Sequence, residues 1–143
     1  MEHSLQAGMV FEFQYKLPEN RTVPHLLPES PEFQLMPKVL ATGFLVGLIE
    51  WSCIRAINPY IHWPEEQTVG IGINVTHSAA TPPGLTVTVK GKLDRVEGRK
   101  LTFSVIADDG LDMISEGTHT RFIIHAKKFS AKASGKLGLS AHD

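Results

Sequence analysis

The chain has a single cysteine, Cys53, in 143 residues. No intrachain disulfide can form, and a chain of this length buries enough core not to need one. Charge of neither sign is in surplus: 14 Lys and Arg stand against 15 Asp and Glu, for a formal net charge of -1. That balance excludes the basic field that drives sequence-independent binding to nucleic acid. The opening MEHSLQAGMV lacks the basic-then-apolar order of a signal peptide, so the expected location is the cytoplasm. No internal repeat is present. A membrane-length apolar run is missing too: the best candidate, VLATGFLVGLIEWSCIRAI from Val39 to Ile57, is uncharged only as far as Ile49, well short of the ~20 residues a bilayer requires. What is there is ordinary, with 42% hydrophobic and 20% charged residues, and predicts one soluble globular domain.

The same run carries Glu50 near its middle. A buried carboxylate is costly unless it is paired or neutralised, so this one needs a partner or a use. Being apolar nearly all round, the segment predicts a core helix covered by protein on most sides. Pro37 suits its first turn, and Asn58-Pro59 stops it.

Most of the remaining pattern alternates with period two, the mark of half-buried strands. Met9, Phe11, Phe13 and Tyr15 form one set before the helix. After it, Val69, Ile71, Ile73 and Val75 alternate with Gly70, Gly72, Asn74 and Thr76. Leu85, Val87, Val89, Gly91 and Leu93 follow, then Leu101, Phe103, Val105 and Ala107 beyond a turn at Glu97-Gly98. Asp109-Gly110 is a tight-turn signal that opens a last strand from Asp112 to Lys127. The order is one strand, one long helix and four strands, an α+β architecture in which an antiparallel sheet curls around the helix. The Pro-rich segment at 17–37, with Ser30 placed to cap a short helix over Pro31 to Leu35, reads as a lid or a crossover connection. The domain is expected over 1–129 and a frayed tail over 130–143. Lys127 and Lys128 just before the tail, and Lys132 and Lys136 in it, suit phosphate contact or plain solvation.

Five strings in order, VPHLLPESPEF, MPKVLATGFLVGLIEW, TVGIGINVTHSAATPPGLTVTV, VEGRKLTF and ISEGTHTRF, run from Val23 to Phe122. In these the chain resembles the hot-dog-fold thioesterases, and among them the fluoroacetyl-CoA thioesterase group. The resemblance implies a hot-dog protomer, a homodimer with active sites at or near the subunit interface, and hydrolysis of an acyl-CoA thioester without metal or organic cofactor. It also implies catalytic roles for Thr42, Glu50 and His77, a place for Gly70 near the thioester carbonyl, and a substrate-side role for Arg121. In the fluoroacetyl-specialised branch an aromatic gate lies in the Pro-rich segment. Here Val23, Phe33 and Met36 stand there, and the flexible Met36 suits a differently shaped or longer acyl group.

The residues bear on these roles independently. Thioester hydrolysis needs an attacking oxygen, a group that takes its proton, and donors for the oxyanion. His77 shares the parity of Val69, Ile71, Ile73 and Val75, so in a regular strand it is expected to face the helix. Gly70 lets a thioester approach the backbone, with its N–H as a candidate oxyanion donor. Thr42 and Glu50 are separated by a rise of about 12 Å and a rotation of about 80° on a straight helix, which excludes a direct bond within one subunit. Either His77, substrate or water bridges them, or two protomers contribute. Covalent attack by Thr42 and orientation of water by it both remain open.

Other readings compete at each position. A helix Thr often bonds back to a carbonyl, a mid-helix Glu can pair with Arg55, and Arg121 can be simply salt-bridged. Cys53 reads as a small buried hydrophobe. His62, His119 and His125 carry no comparable signal, and Gly72 is expected to ease packing of strand on helix. Asn74 in NVT matters only in a secreted chain. Two rival functions are a non-catalytic acyl-CoA binding protein and a hot-dog hydratase or dehydratase. INPYIH resembles the hydratase motif superficially, but Ala56 stands where that motif has Asp and His62 comes one residue late.

Overall fold

The computed structural model describes residues 5–140. A first strand, β1 (Val10–Lys16), leads through a 3-10 turn at Glu19–Arg21 and two short helices, α1 (Val23–Leu26) and α2 (Pro31–Gln34), to the long helix α3 (Thr42–Ile57). Four strands follow: β2 (Glu66–Val75), β3 (Thr86–Glu97), β4 (Lys100–Asp108) and β5 (Met113–His125). They form one antiparallel five-stranded sheet in the order β1-β3-β4-β5-β2. A final helix, α4 (Ala126–Ser140), leaves the end of β5.

The core lies between sheet and helix. Leu45, Leu48, Ile49, Cys53 and Ile57 of α3 are buried against Val87, Val89, Leu93, Leu101, Phe103, Val105 and Ile123 of the strands. Strand side chains alternate across the sheet, so one face of β3, β4 and β5 carries this set while the other meets solvent. The opposite side of α3 is open: Gly43, Gly47 and Trp51 are exposed. The helix is therefore covered on one side by its own chain, not on most sides as its all-round apolarity suggests. That same openness lets Glu50 keep 39% of its side-chain surface accessible.

Helix α3 begins at Thr42, five residues later than the Pro37 signal. The intervening backbone is bonded elsewhere. Leu40 bridges Thr22 and its N–H donates to Thr81 O at 2.8 Å, while the Ala41 N–H donates to Arg21 O at 3.4 Å. Groups held in those extended pairings cannot also enter a helical ladder. The Pro-rich segment is thereby laid alongside the start of α3. Within it, Ser30 Oγ accepts from the Phe33 N–H at 3.1 Å as the N-cap of α2. Gln34 Nε2 donates to Pro24 O at 2.7 Å and ties α2 to α1.

The region expected to fray is helical through Ser140; residues 141–143 lie outside the described part. Ala, Lys and Leu are good helix formers, which favours a helix in this largely exposed stretch. Lys127, Lys128, Lys132 and Lys136 are exposed along it.

Candidate active site

Strand β2 does not run straight. Its register against β5 shifts between Gly70 and Gly72, so Ile71 is the extra residue of a β-bulge. Before the bulge Thr68 lies opposite Ile123 and Gly70 opposite Arg121; after it Ile73 lies opposite His119 and Val75 opposite Gly117. Directly opposed residues share a face, so inward positions are even-numbered before the bulge and odd-numbered after it. A single alternation through Val69, Ile71, Ile73 and Val75 is therefore not what the strand does. Gly72 consequently faces outward, where a Cβ would lie 2.6 Å from Thr120 Oγ1, and does not pack on the helix.

Two clusters result. In the first, His77 continues the inward parity of Ile73 and Val75 and meets the start of α3. Its Nδ1 lies 2.8 Å from Thr42 Oγ1. Burial lowers the His77 pKa below the ordinary histidine value, which favours a neutral ring able to take a proton. Nε2 of the same ring is buried without a hydrogen-bond partner. Thr42 is the first residue of α3, after Ala41 with no side-chain cap. Its hydroxyl thus stands beside the N–H groups that the first turn of any helix leaves without intrahelical partners.

The second cluster surrounds Glu50. Arg121 Nη1 donates to Glu50 Oε1 at 3.0 Å. The same guanidinium donates through Nε to Thr68 Oγ1 at 2.8 Å and through Nη2 to Thr68 O at 2.7 Å. Nη1 also lies 3.1 Å from His119 Nε2, and His119 Nδ1–H donates to Gly72 O at 2.7 Å. Burial is the largest cause that lowers the His119 pKa, with nearby Arg121 adding to it. Gly70 has no room for a side chain: a Cβ there would lie 2.5 Å from Glu50 Oε1. Glu50, Gly70, Gly72 and His119, with Val46, Ile71 and Ile73, line an open groove of about 310 Å³. A larger groove of about 680 Å³ lies across the outer face of β1, β3 and β4, away from both clusters.

Of the sequence candidates, Thr42 and His77 meet each other, while Glu50 and Gly70 meet in the second cluster. Glu50 pairs with Arg121, not Arg55, whose guanidinium stacks on Phe13 and Trp51. Arg121 is salt-bridged, one of the two readings its sequence left open. Only 3% of its side chain is exposed and its fork is taken up by Glu50, Thr68 and His119. Val23 and Phe33 are half-buried and Met36 is 48% exposed, all in the segment beside Thr42. Cys53 is fully buried and burial pushes its thiol up to about 12, which removes it as a nucleophile. The INPYIH string forms the 3-10 turn Asn58–Tyr60 at the far end of α3. His119 was missed. The available signal was its shared parity with Arg121 and the apolar Ile123 on β5, all three buried.

The sequence pattern of the fluoroacetyl-CoA-specific thioesterases matches residues 25–127. The chain belongs to that family. A fluoroacetyl-CoA thioesterase of Streptantibioticus cattleyicolor is 52% identical over 136 residues, spanning 95% of this chain and 97% of the relative. A solved phenylalanine-to-alanine variant of a fluoroacetyl-CoA-specific thioesterase, in complex with fluoroacetate and CoA, is 54% identical. It covers 87% of this chain and 99% of its own, with a TM-score of 0.85. A hot-dog-like protein from Thermanaerovibrio acidaminovorans, 18% identical with a TM-score of 0.74 over 91% of each chain, shares the fold. The fold is the hot-dog, and the hydratase and pure-binding alternatives are not favoured. Among the described residues no three His, Cys, Asp or Glu side chains are grouped to hold a metal ion, and no helix is long and apolar enough to cross a membrane.

Proposed function

We propose that the protein hydrolyses the thioester of small acyl-CoA substrates to the free acid and CoA, with Thr42, His77 and Glu50 as the catalytic groups. The observation that carries the reading is the 2.8 Å contact of the Thr42 hydroxyl with His77 at the start of α3. A neutral imidazole beside a hydroxyl can accept its proton, and partnerless N–H groups in the same turn can receive the oxyanion of the tetrahedral intermediate. The Gly70 N–H is a further candidate donor. Two routes fit: Thr42 attacks the carbonyl carbon and water releases the acyl group, or Thr42 and His77 orient the attacking water. In either case the C–S bond breaks and CoA leaves as the thiol.

Glu50 joins this chemistry through a homodimer. Thr42 and Glu50 are symmetric about Val46 in the sequence, so two copies of α3 packed antiparallel about Val46 set Thr42 of one protomer opposite Glu50 of the partner subunit. The exposed side of α3 and the free edge of β2, with Ile71 and Ile73 exposed to 53% and 43%, supply the apolar surface for that contact. Arg121 then positions Glu50. Val23, Phe33 and Met36 bound the acyl end, and Met36 admits acyl groups of more than one shape.

The test is a panel of fluoroacetyl-, acetyl-, propionyl- and butyryl-CoA followed by release of free thiol. Release from at least one member is expected. Glu50→Gln, which keeps shape and removes charge, should lower kcat by about a hundredfold or more. A folded Glu50→Gln protein with unchanged turnover would refute the role of Glu50, and a panel without thiol release would refute the activity.

A further inference from the structure

We propose that His119 is a positioning residue that fixes the Glu50 carboxylate by orienting Arg121, an inference that rests on the reading of Glu50 as a catalytic group. The bonding pattern determines the tautomer. Gly72 O is a carbonyl and can only accept, so the proton of the neutral ring sits on Nδ1 at 2.7 Å from it. Nε2 then carries a lone pair, and it receives a hydrogen bond from Arg121 Nη1 at 3.1 Å. Nη1 therefore spans two acceptors, His119 Nε2 and Glu50 Oε1, the latter at 3.0 Å. Thr68 fixes the other edge of the guanidinium through its hydroxyl and its carbonyl. The Phe103 ring lies stacked beside the His119 ring, with centroids 6.4 Å apart. The chain of contacts runs from the backbone at the β2 bulge through His119 and Arg121 to the half-exposed carboxylate. It converts the geometry of a sheet edge into the placement of one oxygen atom.

Protonation would break this chain. A proton on Nε2 removes the acceptor and sets two cations side by side. The charged groups near the ring are Arg121 on its own strand and Glu50 on α3, with Cys53 of α3 near both of these. β2 presents Thr68, Gly70, Gly72 and Ile73, and β4 the Phe103 ring, none of which titrates. Because burial favours the neutral ring, the arrangement is intact above the ordinary histidine range and is lost as pH falls through the lowered value.

The test uses the full chain with His119→Ala and His119→Gln, each alone and with Glu50→Gln. His119→Ala should lower kcat by about tenfold to a hundredfold, the effect of removing one hydrogen bond to a charged group, with a smaller change in KM. In the Glu50→Gln background it should cost nothing further. His119→Gln, whose side-chain carbonyl can accept from Nη1 and does not titrate, should recover most of that loss. Its kcat profile should keep only the acid limb contributed by His77. Equal losses in the Ala and Gln variants, or a His119→Ala loss undiminished in the Glu50→Gln background, would overturn the proposal.

Two readouts do not depend on turnover and separate this proposal from the functional reading. Imidazole nitrogen NMR should show His119 protonated on Nδ1, and a ring protonated on Nε2 would refute the contact. Arg121 Nη protons should exchange slowly in the native protein and faster in His119→Gln and His119→Ala in that order; unchanged exchange would refute the positioning role even if the enzyme proves inactive on every acyl-CoA tried.

Discussion

A Cβ on Gly70 would lie 2.5 Å from Glu50 Oε1, 3.3 Å from His119 Cε1 and 3.4 Å from Arg121 Nη1. The backbone at this position is not in the left-handed region, so glycine is required for space and not for conformation. The nearest atom is the end of a flexible side chain, which can move, and the fold should survive the substitution. Gly70→Ala is accordingly expected to leave circular dichroism unchanged while displacing the carboxylate. A displacement on the order of 1 Å at a reacting group costs about a hundredfold in kcat. Wild-type turnover in a folded Gly70→Ala protein would show that the position of Glu50 does not limit the reaction.

Among the elements, the segment from Leu17 to Pro37 does more than connect β1 to α3. It is pinned to the residues just before Thr42 by the Thr22–Leu40 bridge and by Val23 N–H donating to Val39 O at 3.0 Å. Leu26 of α1 lies beside Gly43, where a Cβ would lie 2.9 Å from Leu26 Cδ2. Phe33 is held by α2, whose first turn is capped by Ser30. In the proposed function this side chain bounds the acyl end without touching the chemistry. Phe33→Ala is expected to raise kcat/KM for butyryl-CoA relative to acetyl-CoA by about tenfold, the value of one or two methylenes in an apolar pocket. An unchanged ranking of acyl chains would make the segment a passive connection.

At the scale of the whole molecule, the sheet leaves its β2 edge unpaired and α3 leaves one side uncovered. Exposed sheet edges of this kind invite pairing, and a stable protein covers, charges or twists them. Ile71 and Ile73 carry no charge, and the bulge at Ile71 is the sole local disruption of the β2–β5 register. A second copy is the expected cover. Light scattering should therefore give twice the monomer mass. Ile71→Lys should shift the protein towards monomer and lower turnover in parallel, since Thr42 and Glu50 would no longer be brought together. A fully active monomer would refute the shared site and return the chemistry to a single subunit.

Composition and periodicity suffice for much of this protein. The strand-helix-four-strand order follows from where period two gives way to an apolar run, and Ser30, Asn58-Pro59 and Asp109-Gly110 mark their boundaries by local chemistry. Glu50 stands out as a carboxylate inside an apolar run, whereas Thr42 and His77 are singled out by the resemblance to the family. Tertiary pairing decided the rest. The inward turn of Gly70 depends on which residues of β5 it faces across a bulge, and the start of α3 depends on Thr22, Arg21 and Thr81 claiming the backbone of Leu40 and Ala41. The tasks of Arg121 and His119 depend on Glu50 lying 71 residues from one of them along the chain yet 3.0 Å away in space. Local patterns report how a residue relates to its neighbours in sequence; which carboxylate a guanidinium meets is set by the register and curvature of the sheet, and those exist only once distant strands have paired.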